Sequence, residues 1–211
     1  MIRIAVAAGA LLIASCGEKT LALPEEPVDR AATCGVVATA EARLATAEIK
    51  DALAFEAAGH ILHYPLLAGA AGESFSPETA AAVQRRMWEL QAEIGAGKWQ
   101  ELIPSCEAAF PAAEADEVTL PADRFEAQLG CDELADFFIA ALKGQGSEYG
   151  NEVAEYRTLR YELNRVLGPG LTARAGADLG AQQEERRQAL AAIAKAGPPT
   201  EVLKQCISRF G

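Results

Sequence analysis

Two histidines, two methionines and an aromatic share of 6% leave this chain of 211 residues with little of what many active sites are built from. No Gly-x-Ser-x-Gly elbow and no His-Glu-x-x-His pair occurs, which removes the usual signatures of α/β-hydrolases and zinc peptidases. No spacing among the 30 acidic residues singles out a carboxylate pair for glycoside chemistry. Cys-x-x-Cys is absent, so zinc-type ligand spacing is absent with it. Alternating Val/Ile/Thr runs are almost missing, which takes support away from strands, whereas Ala is abundant throughout and favours helices. Basic residues are also scarce, 19 against 30 acids, for a net charge of −11. Such a surface repels phosphate backbones and anionic lipid, and no Lys/Arg-rich run overrides it, so nucleic acid is excluded as the expected partner.

What is present is an N-terminal pattern and a repeat. Met1, Ile2 and Arg3 make a short positive start, Ile4 to Ile13 carry no charge, and Ala14 and Ser15 are small before Cys16. This is the layout of a secretory signal. Ten apolar residues are too few for a membrane-spanning helix, which needs roughly 20. A signal peptide cut elsewhere, with Cys16 discarded, is the plain alternative. The ending Ile13-Ala14-Ser15-Cys16 resembles the lipobox of bacterial lipoproteins. That resemblance implies acylation of Cys16, a mature chain beginning there, and a cell-envelope location facing the periplasm, with Gly17 pointing to the outer membrane. Removing residues 1–15 takes away one Arg and no acid, giving 18 − 30 = −12 for the mature chain. The following "GEKTLALPEEPVDRA", with Pro24 and Pro27, reads as part of a flexible spacer over residues 16–31.

The remaining chain is long enough to bury a proper core, and it reads itself twice. With a shift of 100 and no gaps, residues 86–110 match residues 186–210 at eight positions, among them Arg86/Arg186, Gly97/Gly197, Glu101/Glu201, Cys106/Cys206 and Phe110/Phe210. Upstream, "TCGVVATAEARLA" and "GCDELADFFIAAL" both open a helical run with a cysteine. The expected fold is therefore all-α, an internally duplicated helical bundle with pseudo-repeats over 32–112 and 122–211 and a connector over 113–121. In each half a long helix should stop at Pro/Gly, at "HYPLLAGAAG" and at "LGPG". Ser76 and Pro77 are suited to start the third helix of the first half, and Gly95 and Gly97 to end it. Val153, Tyr156, Leu159, Leu163 and Val166 recur at helical spacing and define a buried stripe. "GQGSEYG" reads as a hinge between helices.

With Cys16 lipidated, four cysteines remain, an even number in an exported chain. Three pairings are open in principle, and the duplication chooses Cys34–Cys106 and Cys131–Cys206, the same bond made twice across 72 and 75 residues. The crossed set Cys34–Cys131 and Cys106–Cys206 is second.

The candidate for chemistry is Glu56, His60 and His63, at i, i+4 and i+7 on one helix face. Such a set could hold Zn or Cu with an open position. Otherwise the two histidines are half-buried, hydrogen-bonded residues near the helix end before Pro65. Trp88 and Trp99 flank the Gly break of the first half, where the second has Gln188 and Pro199. Packing at a helix junction is the first reading, an exposed aromatic patch for a partner the second. Arg85, Arg86, Arg186 and Arg187 read as a solvated face or ion pairs, and "EADE" (114–117) as solvated linker. The functional expectation is a binding or structural module without a cofactor, tethered to the membrane. A groove between its halves would suit an envelope protein, a peptide or a small ligand; a Zn- or Cu-binding protein is the alternative.

Overall fold

The computed structural model describes residues 22–48, 50–143 and 148–211. The segment expected to be a signal, Cys16, Gly17 and most of "GQGSEYG" lie outside the described residues. Within them the protein is all helical, without a strand. The elements are α1 Pro27–Arg43, α2 Phe55–Gly69, α3 Pro77–Gly95, a 3-10 turn Trp99–Leu102, α4 Ile103–Ala109, α5 Arg124–Leu142, α6 Gly150–Ala175, α7 Leu179–Ile193 and α8 Pro199–Phe210. No described helix is long and apolar enough to cross a membrane.

The first helix begins inside the segment expected to be spacer. Pro27 supplies a φ suited to the first helical turn, and the Glu26 carboxylate accepts from the Asp29 N–H at 2.8 Å. Arg30 then reaches back to the carbonyls of Pro24 (2.9 Å) and Glu25 (2.5 Å), while Ala31 and Ala32 are fully buried. Among the described residues the first helix therefore starts at Pro27, inside the segment expected to be spacer.

Two prolines expected to end helices do not. Pro65 lies inside α2 and Pro169 inside α6. Proline in a helix interior costs about 3 kcal/mol, and buried side chains on both sides of each proline outweigh it: Tyr64 and Leu66 around the first, Leu167 and Leu171 around the second. The α6 helix ends instead at Gly176, whose φ of +68° suits glycine and whose N–H donates to Thr172 O at 3.0 Å. Its buried stripe is Tyr156, Leu159, Leu163, Leu167 and Leu171. Val153 is only partly buried and Val166 is 47% exposed, because Val166 sits about 100° around the helix from Leu167. Ser76 caps α3 as expected, accepting from the Thr79 N–H at 3.1 Å.

Helix α1 packs against α2 and α3, and α5 against α6 and α7. The amphipathic α8 buries Pro199, Val202, Leu203 and Cys206 against α5 and α6, and also meets α2. The larger core gathers Leu129, Leu134, Phe138, Leu159, Leu163, Ile193 and Leu203 from α5 to α8, and Leu66, Ala70, Phe75 and Ala80 from the first half join it. A smaller core surrounds Cys34, Tyr64, Ile94, Trp99 and Leu102.

Both disulfides form as the repeated spacing predicts. Cys34 pairs with Cys106 and Cys131 with Cys206, with Cα atoms 5.4 and 5.8 Å apart. Closing loops of 72 and 75 residues is worth about 4 kcal/mol each in the chain-entropy model. Charged pairs tie each of these disulfide-bearing helices, α1 and α5, to a further helix. Arg86 donates to Asp29 at 2.6 Å, joining α3 to α1, and Arg186 donates to Glu133 at 2.5 Å, joining α7 to α5. Asp132, with no exposed surface, accepts from Arg160 at 2.9 Å and from Arg186 at 3.4 Å.

The irregular stretch between α4 and α5 is docked and not merely solvated. Ala113 is buried, and the Thr119 N–H donates to Ala196 O at 3.0 Å. Gly197, at φ +139°, turns the chain there, and a Cβ on it would lie 3.1 Å from Val118 Cγ2.

Candidate functional site

The α2 helix delivers Glu56, His60 and His63 to three different surroundings. Glu56 faces solvent at 64% side-chain exposure, with Lys204 of α8 3.7 Å away. His60 Nε2 lies 2.9 Å from the Glu114 carboxylate, donating to it, and 3.2 Å from the Tyr64 hydroxyl. Tyr64 is buried and meets Phe110 edge-on, with centroids 5.3 Å apart. Burial first, and then the neighbouring Glu114 carboxylate, push its hydroxyl pKa above the ordinary phenol value. Glu114, expected to be part of a solvated run, thus fastens the inter-helix stretch onto α2.

His63 points into the protein and has no exposed surface. Its Nε2–H donates to Ala194 O at 2.8 Å, just beyond the end of α7, so Nδ1 is the bare acceptor nitrogen and has no protein partner. Burial pulls its pKa down to about 4, with the Ala194 bond opposing and His60 adding to the fall. His63 is a strut between the two halves. The three side chains do not converge on one point, and no group of three or more His, Cys, Asp or Glu among the described residues is arranged to hold a metal ion. The physical reason lies in neighbours that the i, i+4, i+7 spacing does not specify: α8 stands beside Glu56, the connector beside His60, and α7 over His63.

A groove lies on the other side of α2. Its walls are Val36, Thr39 and Arg43 of α1, Ile61, Leu62 and Pro65 of α2, and Gln84, Met87, Trp88 and Gln91 of α3, with Ala140 and Ala141 of α5 closing one side. Its volume is about 480 Å³. It adjoins a hollow of about 350 Å³ that shares Arg43, Leu53, Ile61, Leu62 and Ala141 and adds Lys50, Asp51, Glu148 and Tyr149. These volumes lie in the range of small-ligand clefts.

The two tryptophans part company at this groove. Trp99 is packed in the smaller core at 7% exposure, as a helix-junction residue should be. Trp88 is 78% exposed at the groove edge. Arg43, Gln84 and Gln91 were not singled out from the sequence. The usable signal was Gln84, Trp88 and Gln91 at i, i+4 and i+7, which share one face of α3.

Compared with known proteins, the chain matches no family model, no curated protein and no solved structure.

Proposed function

We propose that this chain is a lipid-tethered protein of the bacterial cell envelope, anchored through Cys16 and facing the periplasm, with the outer membrane favoured by Gly17. Its helical part is an internally duplicated module for binding or structural support, and it does not act as an enzyme. The observation that carries the export reading is the pair of disulfides between buried cysteines. Such bonds persist in oxidising compartments and are rare in a reducing cytosol. They also account for four of the five cysteines, leaving no cysteine of the chain to pair with Cys16. That leaves the Cys16 thiol available for the acylation the lipobox reading requires.

The duplication draws support from matched positions. Cys34 and Cys131 each stand seven residues after the first residue of their helix, Pro27 and Arg124. Each bonds to a closing helix near the end of its half. Arg86 and Arg186, aligned by the shift of 100, both reach an acid on the first helix of their own half. A binding role draws support from the groove and from Trp88, whose exposed indole has no part in the core.

The test is the chemistry of the mature N-terminus. Expressed in a bacterial host and examined by intact mass, the mature chain should begin at Cys16 and carry acyl groups. A Cys16→Ala variant should lose them. A mature chain beginning elsewhere, or an unmodified Cys16, would overturn the tether.

A further inference from the structure

We infer that the groove beside Trp88 binds a short oligosaccharide carrying one carboxylate. This deepens the envelope reading and rests on it for the source of the sugar, since amino sugars bearing a carboxylate are building units of bacterial walls. The recognition chemistry comes from the groove itself.

Trp88 offers a flat apolar surface, 78% exposed, against which the C–H face of a pyranose can lie. Gln84 and Gln91 sit one turn to either side on the same helix face, and each amide brings two donor hydrogens and an acceptor oxygen suited to ring hydroxyls. Thr39 adds a hydroxyl oxygen from α1 across the groove, as an acceptor, since its hydrogen is donated to Gly35 O at 2.7 Å. An extended peptide finds less here. Apart from Leu53, just ahead of α2, the lining residues lie on helices, and no strand among the described residues offers an edge for β-addition.

Arg43 is the one ionised side chain among the described residues lining this groove, on a protein of net charge −11. One of its nitrogens donates to Asp51 O at 2.5 Å, which orients the guanidinium, and a guanidinium has further N–H groups for a carboxylate. Beyond Arg43 the adjoining hollow contains Asp51 and Glu148 beside Lys50. Those acids disfavour a polyanion and leave a ligand with a single carboxylate as the better match.

The experiment titrates the full-length protein, purified in detergent, with the disaccharide N-acetylglucosaminyl-N-acetylmuramic acid. N,N′-Diacetylchitobiose (chitobiose hereafter) serves as the counterpart lacking the carboxylate. Tryptophan fluorescence is one readout, with Trp88 as reporter and buried Trp99 as background, and calorimetry is the other. The acidic sugar should bind saturably and shift the emission. Trp88→Ala should weaken it at least tenfold while helicity and both disulfides persist. Arg43→Gln should bring the acidic sugar down to the affinity of chitobiose and leave chitobiose unchanged. Absence of a saturable response to the acidic sugar, or unchanged binding by Trp88→Ala, overturns the site. Equal affinity for the two sugars overturns the carboxylate preference. None of these outcomes depends on lipidation, which the mass of the mature N-terminus tests separately.

Discussion

Replacing Asp132 by Ala removes a carboxylate with no exposed surface that accepts from Arg160 at 2.9 Å and from Arg186 at 3.4 Å. Breaking a buried pair by deleting one partner costs about 3–5 kcal/mol, because the other charge is left desolvated. Here the two arginines are cushioned. Arg160 also bonds Asp136, Arg186 also bonds Glu133, and their side chains retain 28% and 27% exposure. The expected loss is therefore at the low end, about 3 kcal/mol, which for a folded part of this size corresponds to a melting temperature lower by about 6–12 °C. Asp136→Ala is the control. Its carboxylate is 54% exposed, so the loss should stay below about 1 kcal/mol. Urea unfolding followed by circular dichroism at pH 7 measures both. An Asp132→Ala variant within 1 kcal/mol of the parent by that assay, or one no worse than Asp136→Ala, would refute the view that this buried carboxylate organises α5, α6 and α7.

The remaining predictions concern a proton and a pair of glycines. His63, with a folded pKa of about 4 against an unfolded value near 6.5, binds its proton more readily when the chain is unfolded. Its neutral, buried state is therefore fully supported above pH 6.5 and loses support as pH falls towards 4, by about 3 kcal/mol in all. A His63→Gln variant should flatten that part of the stability profile relative to the parent, and parallel profiles between pH 7 and 4 would contradict the assignment. A Cβ at Gly130 would stand 2.9 Å from Ile193 Cβ and 3.1 Å from Ala189 O, neither free to retreat, so Gly130→Ala should cost about 2 kcal/mol in the same unfolding assay. At Gly35 the Cβ would meet Met87 Cε and Sδ at 2.7 and 2.8 Å, the flexible end of a long side chain, so Gly35→Ala should stay within about 1 kcal/mol of the parent. Equal losses from the two glycines would mean that the helix contacts are equally yielding.

The local features of the fold were legible because they depend on neighbours in sequence. Ser76 and Pro77 start α3 because a hydroxyl cap and a fixed φ act within one turn. The disulfides were legible because the spacings of 72 and 75 residues repeat. Local sequence misleads at Pro65 and Pro169, because the proline penalty acts within one turn whereas the burial that exceeds it comes from helices distant in sequence. Asp132 was invisible for a related reason. Thirty acids look alike in a sequence, and only the convergence of Arg160 and Arg186 from other helices marks this one.

The sequence by itself determined the all-helical class and both cysteine linkages, through residue propensity and repeated spacing. It also carried the envelope expectation through its first 16 residues. Tertiary structure alone decided that His63 is a buried strut while His60, three residues away, pairs with Glu114 at the surface. It likewise decided that Trp99 packs inward while Trp88 stands open beside a groove. Periodicity states which residues share a helix face, but what that face meets depends on which helices, distant in sequence, cross over it.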